Sequence, residues 1–386
     1  MKLIDQDSGA AGARTASIAA QKDIAAQKVV NLALQGGGTH GAFTWGVLDR
    51  LLDEERLAFE GITASSAGAV NAVVLADGFA AGGRKGAKKA LRNFWRKLSQ
   101  DASNTLFQPS LIDRMSSRQG LDNSPGYVFM EALAYFASPY QLNPFNYNPL
   151  KKLIEESVDF ERVRTQDAIK LFLSATNVRT AKVKVFSGRE LRSEHVLAST
   201  CLPLLMQAVE VDGEHYWDGG YAGNPAIFPV VYECESPDVV LVHLTPADRP
   251  DVPTSSPAIM NRMQEISFNT ALIREMRSVA VRNRRVEERI MPGGKRTFVH
   301  LIEAEDIIRE FTASSRLNAD WKFLTKLFHD GRARADEWLA ANFDRIGIES
   351  TVDSRRKVFL TAPPDGVALS GCCFGTAPES IGRADG

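Results

Sequence analysis

The feature that most constrains this chain is a pattern met twice near its start: a short apolar run that stops at small residues and gives way to a helix. Val29-Val30-Asn31-Leu32-Ala33-Leu34 ends at Gln35-Gly36-Gly37-Gly38, and residues 42–57 then carry Phe43, Val47, Leu48, Leu51 and Leu52 at helical spacing. A run of that length ending in glycines predicts a buried strand. Residues 59–66 repeat the pattern and lead into an apolar helix over 67–79. Strand, tight turn and helix in repetition open a mostly parallel sheet with helices on both faces. The expected fold class is α/β.

Further along, 171–175, 183–186 and 239–242 predict more buried strands, while Val209-Glu210-Val211 and His215-Tyr216-Trp217 flank Asp212-Gly213, a dipeptide suited to a tight hairpin. Residues 82–98 read as a basic surface helix. Residues 100–148 are rich in turn formers and aromatics, among them Phe107, Tyr127, Phe129, Tyr135, Phe136, Tyr140, Phe145 and Tyr147; these suit either an acyl channel or a lid, or else ordinary core or subunit contact. Pro246, Pro250, Pro253 and Pro257 mark a linker. Beyond it, 259–290 and 315–343 predict long helices separated by a strand-like 298–302. The expected organisation is a flexible arm over 1–27, an α/β domain over 28–246, the Pro-rich linker over 247–258, a mainly helical extension over 259–349 and a disordered tail over 350–386.

Composition enters as a set of exclusions. With 46 Lys and Arg against 47 Asp and Glu, the net charge of -1 gives no global field to attract nucleic acid or anionic lipid. Arg274, Arg277, Arg282, Arg284, Arg285 and Arg289 crowd one helix, but Glu275, Glu287 and Glu288 are interleaved, which favours a solvated, salt-bridged face over a headgroup site. Cys201, Cys234, Cys372 and Cys373 show no Cys-x-x-Cys spacing, and the histidines form no His-x-x-x-His pair, so neither a metal nor a disulfide framework is expected. No apolar run reaches the roughly 18 to 20 residues of a spanning helix. A cytoplasmic protein is expected, with any membrane contact peripheral and no cofactor.

Three motifs carry chemistry. Gly36-Gly37-Gly38-Thr39-His40-Gly41 sits at the first strand-to-helix turn. Its glycines let backbone N–H groups face a cavity, and the helix that follows adds its own unpaired N–H groups. The spacing fits a dinucleotide fingerprint equally well. Ala64-Ser65-Ser66-Ala67-Gly68 stands at the second turn, like a Gly-x-Ser-x-Gly nucleophile elbow with Ala64 in place of the first glycine. A serine there also suits a helix N-cap. Asp218-Gly219-Gly220 follows a short strand, either as a turn or as a carboxylate that accepts the serine proton.

In that order, the three motifs resemble the patatin-like phospholipase family, over roughly residues 29 to 245. Asn148-Pro149-Leu150-Lys151-Lys152-Leu153, Leu173-Ser174-Ala175-Thr176-Asn177 and Ala198-Ser199-Thr200-Cys201-Leu202-Pro203 add to the likeness. The later helices resemble the C-terminal extension of one bacterial branch. The resemblance implies a three-layer α/β/α sandwich and a Ser–Asp dyad, with Ser66 as nucleophile, Asp218 as general base and the N–H groups of Gly36, Gly37 and Gly38 as oxyanion hole. It implies a lipid ester as substrate. His40 stands where the family often has arginine.

Three rivals remain. Ser66, Asp218 and His243 follow the chain order of an α/β-hydrolase triad, although His243 lies inside a predicted strand. A dinucleotide-binding oxidoreductase would want an acid at the end of the second strand, whereas Glu60 precedes it. A non-catalytic lipid-binding member of the same fold is a third reading.

Overall fold

The computed structural model describes residues 27–103, 108–115, 119–134 and 136–352. Apart from residues 27 and 350–352, the expected N-terminal arm and C-terminal tail lie outside the described residues, as do Phe107, Tyr135, Cys372 and Cys373.

The first half runs β1 (Lys28–Leu34), α1 (Gly41–Asp53), β2 (Leu57–Ser65), α2 (Ala67–Ser103), α3 (Leu111–Met115), α4 (Pro125–Ala134), α5 (Pro139–Leu142), α6 (Pro149–Ser157), α7 (Phe160–Thr165), β3 (Lys170–Asn177), β4 (Val183–Ser187) and α8 (Ser193–Ser199). The second runs β5 (Val209–Val211), β6 (Glu214–Asp218), α9 (Phe228–Glu233), β7 (Asp238–His243), α10 (Ser256–Glu287), β8 (Phe298–Glu303), α11 (Glu305–Ile308) and α12 (Trp321–Asn342). The strands form one mixed, mostly parallel sheet in the order β5-β6-β3-β2-β1-β7-β8, with β4 also paired to β3. Strands β3, β2, β1, β7 and β8 are mutually parallel; β4 and β6 run antiparallel to β3.

Each central strand buries both faces. Leu32, Leu34, Val240 and Val242 join α1, α2 and α12 in one core, while Ala33, Val239 and Leu241 meet Ile227 and Val230 of α9 and Leu272 and Met276 of α10 in the other. The residues beyond the Pro-rich stretch are therefore built into this body. They supply the edge strand β8, registered on β7 from Asp238↔Phe298 to His243↔Glu303, and one helix to each layer. Among the described residues no helix is long and apolar enough to cross a membrane.

Helix α2 breaks at Gly82 and Gly83, and its second half, expected as a surface helix, buries Ala87, Leu91, Phe94 and Trp95. Among the described aromatics of the 100–148 segment, Phe129, Phe136, Tyr140, Phe145 and Tyr147 are exposed rather than lining an enclosed channel.

Helix α1 is buried almost all round because α12 covers its outer side. Two glycines permit the approach. A Cβ on Gly46 would stand 2.0 Å from the Phe328 carbonyl oxygen, and one on Gly331 would stand 2.1 Å from that of Phe43. Both obstacles are backbone, so neither can swing aside. Gly331→Ala is expected to cost at least ~2 kcal/mol of unfolding free energy through overpacking, read from urea melts at constant m-value.

Candidate active site

The site lies where β1 and β2 end. Each hands over to a helix through a tight turn, and the two turns touch. A Cβ on Gly68 would come within 2.3 Å of the Leu34 carbonyl oxygen, so the first turn of α2 rides on the end of β1 only with glycine there. A Cβ on Gly36 would stand 2.5 Å from the Ser66 Cβ, which puts the glycine loop directly against the serine side chain. Gly41 meets Ala67 in the same way, at 2.8 Å.

Ser66 has φ 53°, a left-handed conformation that is uncommon for a residue with a Cβ. It is held there by its backbone: the Ser66 N–H donates to Ser199 Oγ at 2.9 Å, and the Ser65 hydroxyl donates to the Gly223 carbonyl at 2.5 Å. Ala64 sits in β2, in register with Leu34 and Leu173, with its methyl in the core. It leaves the left-handed turn to Ser66.

Strand β3 brings the third motif to the same place. Strand β4 occupies one edge of β3 opposite Phe172–Thr176, so β2 and β6 share the other edge, end to end. Ser174 pairs with Ser65, and the next residue, Ala175, pairs with Asp218. The Asp218 N–H donates to the Cys201 carbonyl at 2.7 Å, and its own carbonyl accepts from the Thr176 hydroxyl at 2.8 Å. Its two glycines are needed for space: a Cβ on Gly219 would lie 2.0 Å from the Ser174 oxygen, and one on Gly220 2.5 Å from the Phe268 ring.

Asp218 is fully buried. Its Oδ1 accepts the Gly220 N–H at 2.8 Å, and Oδ2 has no hydrogen bond of ordinary geometry. Burial pushes the carboxyl up to about 6, against the opposing pull of the Ser66 hydroxyl, the Gly220 N–H and the charge of Arg316. The structure thus brings Ser66 and Asp218 together. A carboxylate that titrates just below neutrality beside a hydroxyl can act as a base at neutral pH.

Of the three glycines of the loop, Gly36 has its N–H committed to Asn224 Oδ1 at 2.9 Å. It therefore contributes closeness to Ser66, and the open N–H groups of the loop are those of Gly37 and Gly38. Gln35 fixes the loop from behind: its amide donates to the Asn224 carbonyl at 3.1 Å and accepts the N–H groups of Leu244 and Thr245 at 2.8 and 3.0 Å. His40 is buried against Phe311 and Phe323 with Nε2 2.8 Å from Ser315 Oγ. Burial and the charges of Arg316 and Arg249 hold its pKa well below the usual histidine range, so it is neutral.

His243 has a partner of its own. It is buried in β7 with Nε2 3.2 Å from Asn269 Oδ1 of α10. Glu60 lies inside β2, in its first half and not at the strand's end, where it accepts the N–H groups of Glu235 and Ser236. Among the described residues no cluster of three His, Cys, Asp or Glu side chains is placed to hold a metal ion. Sequence reasoning gave no role to Gln35, Asn224, Ser199 and Ser315, which brace the site through hydrogen bonds to residues distant in the chain and leave no periodic trace.

Fold and site together define an α/β protein with a serine on a strained strand–helix turn beside a buried carboxylate. The model of the patatin-like phospholipase family matches residues 32–231, more than half of the chain, and the chain belongs to that family. Membership supports a lipid hydrolase. Among solved structures the chain is similar to VipD from Legionella pneumophila, with 17% identity and a TM-score of 0.39, over 81% of this chain and 67% of that one. It is similar also to ExoU of Pseudomonas aeruginosa, solved in complex with SpcU, with 12% identity and a TM-score of 0.31, over 82% of this chain and 53% of that one. The chain thus spans about two thirds of VipD and about half of ExoU. No curated protein matches it significantly.

The raised carboxyl has a consequence for stability. Between about pH 4, where a free aspartate titrates, and about pH 6, the folded chain holds a proton on Asp218 that the unfolded chain has lost. Stability from this group therefore falls as pH rises through that window. Asp218→Asn is expected to be more stable than wild type above pH 6, by ~1–3 kcal/mol, and to lose the advantage below pH 4. Urea melts at pH 4 and pH 8 measure it.

Proposed function

We propose that this protein is a serine acyl hydrolase of lipid carboxylic esters, of the phospholipase A or lysophospholipase type, working through a Ser66–Asp218 dyad. The observation that carries the reading is the register on β3, where Ser174 and Ala175 hold the serine turn and the aspartate end to end. Asp218 would accept the Ser66 proton through its open Oδ2 as Ser66 Oγ attacks the acyl carbonyl. The tetrahedral oxyanion would be met by the Gly37 and Gly38 N–H groups, with Gly36 giving the space for the loop to reach it. Collapse would expel the alcohol, with Asp218 returning the proton, and leave an acyl-Ser66. A water deprotonated by Asp218 would then release the acid. Preorganised donors of this kind are each worth roughly 3–4 kcal/mol.

Several features support it. The left-handed turn at Ser66 suits an elbow, the carboxyl has a fitting titration range, and the family acts on phospholipids. No cofactor is called for. The exposed aromatics of residues 129–147 fit peripheral contact with a lipid surface.

The test is hydrolysis of p-nitrophenyl butyrate, followed by fatty-acid release from phospholipid and lysophospholipid micelles. Ser66→Ala and Asp218→Asn, both folded, are expected to lose about a thousandfold or more in kcat/KM. The kcat/KM profile of wild type is expected to rise through an acid limb near pH 6, because Asp218 must be ionised to act. His243→Gln is expected to change activity only modestly; its loss of all activity would point to a triad instead. Wild-type rates in both dyad variants would overturn the reading.

A further inference from the structure

The glycine loop leans on a turn that none of the sequence motifs includes. This is the single 3-10 turn Ala313–Leu317, between α11 and α12. Thr39 Oγ1 donates to the Ser315 carbonyl at 2.8 Å, His40 Nε2 lies 2.8 Å from Ser315 Oγ, and a Cβ on Gly38 would come within 2.4 Å of the Arg316 carbonyl oxygen. Gly38 has φ 60°, so its left-handed backbone sits directly on residue 316. The turn is itself pinned: Ser314 Oγ accepts the Leu121 N–H at 2.8 Å and donates to Asp122 at 2.6 Å.

The Arg316 side chain is 14% exposed and is tied to α10. Its Nη1 donates to Gln264 Oε1 at 3.2 Å, and Nη2 lies 3.5 Å from Glu265 Oε1. Glu265, only 1% exposed, also holds Arg249 at 2.7 Å and Arg262 at 3.1 Å. Those two arginines turn their remaining donors to the carbonyls of Arg309, Pro246 and Ala247. One carboxylate shared by three guanidiniums leaves an excess of positive charge. Arg316 is the most buried of the three and has the weakest hold on Glu265.

Gln264 and Glu265, which hold this guanidinium, lie one turn of α10 before Phe268, whose ring meets Gly220 two residues after Asp218, so the charge is fixed beside the aspartate turn. The titratable and polar groups around Asp218 are Ser66 from the head of α2, Gly220 and Tyr221 from its own turn, Cys201 from the loop after α8, and Arg316. Cys201 and Tyr221 are both pushed up to about 12 by burial first and by the Asp218 charge second, so both are neutral. His40, on the glycine loop, is neutral as well. Glu265 stays ionised, held below the usual carboxyl range by Arg249, Arg316 and Arg262 against the upward push of burial. Arg316 is therefore the cation that acts on Asp218 among these groups.

We propose that Arg316 is a positioning residue of the acyl-transfer site: a fixed positive charge, set behind the glycine loop by Gln264 and Glu265, that keeps Asp218 in the ionised form ready to take the Ser66 proton. The inference rests on the Ser66–Asp218 reading. Arg316 acts through Asp218 and touches no reacting atom. A side-chain change there leaves the Arg316 carbonyl beneath Gly38 in place, which separates its charge from its packing.

The experiment measures the rate at which a fluorophosphonate probe labels Ser66 in the full chain from pH 5 to pH 9. Arg316→Gln is expected to move the acid limb upward by roughly one pH unit, so that labelling slows severalfold to tenfold at pH 6 and recovers above pH 8. Arg316→Lys should keep the wild-type limb. Gln264→Glu places a carboxylate against the guanidinium without removing it and should shift the limb in the same direction as Arg316→Gln. If Arg316→Gln does not fold, as judged by circular dichroism, Gln264→Glu and Arg316→Lys carry the test. An unmoved limb in the charge-altering variants, or a rate lowered equally at every pH, would overturn the proposal while Asp218→Asn still abolishes labelling. Wild-type labelling in Asp218→Asn would instead overturn the dyad, and the inference with it.

Discussion

Everything at this site depends on two strands sharing one edge of a third. Strand β3 offers Lys170–Ser174 to the parallel strand β2 and Ala175–Asn177 to the antiparallel strand β6. Because β2 arrives from one end and β6 from the other, their last residues meet, and both chains turn away at that point. Backbone pairing alone therefore fixes the spacing of the two turns. Side chains on such turns inherit the precision of the sheet, which loops by themselves do not have. The cost appears in the glycines: Gly219 is pressed on the Ser174 oxygen and Gly36 on Ser66, so the junction closes only where side chains are missing.

A buried carboxylate with one open oxygen is an expensive object, and the structure pairs its other polar groups carefully. The Asp218 N–H, C=O and Oδ1 are each hydrogen-bonded, to Cys201, Thr176 and Gly220. Only Oδ2 lacks an ordinary partner. A fully satisfied carboxylate would be more stable and would titrate lower, since each hydrogen bond to the ionised form favours it. It would also be a weaker base. The pattern of satisfied and unsatisfied atoms is thus the one that function would select at some expense of stability.

Much of this was legible in the sequence, for identifiable reasons. The strands and helices around Gly36–Gly38 and Ser66 declared themselves because short apolar runs that end in small residues, and apolar residues at helical spacing, are local signals. The Asp212-Gly213 hairpin did so because positive φ at both positions, 51° and 80°, narrows the residue choice. What remained hidden acts at long range through a few atom pairs. Asn224 reaches back to Gly36 across 188 positions, and Ser315 meets His40 across 275. Asn224 also corrects the expectation that all three glycines donate alike, since its side chain takes the Gly36 N–H. The close approach of α1 and α12 through Gly46 and Gly331 was hidden for the same reason: a glycine in a helical pattern does not say which backbone comes near it.

The segment beyond the Pro-rich stretch changes how the site should be viewed. The family match ends at residue 231, yet β7 begins at Asp238 and pairs with β1, and the N–H groups of Leu244 and Thr245 clamp Gln35 just ahead of the glycines. Helix α10 lays Phe268 over Gly220, and the turn before α12 bears Gly38 and His40. The motifs supply the proposed reacting groups, whereas the later segment supplies the walls that fix them. A loop whose N–H groups must point at a developing charge gains nothing from glycine's freedom unless something outside it removes that freedom. Here the removal is done by β7, by Leu244 and Thr245 after it, and by the turn at residues 313–317. The loop is held in place only with the C-terminal part packed against it.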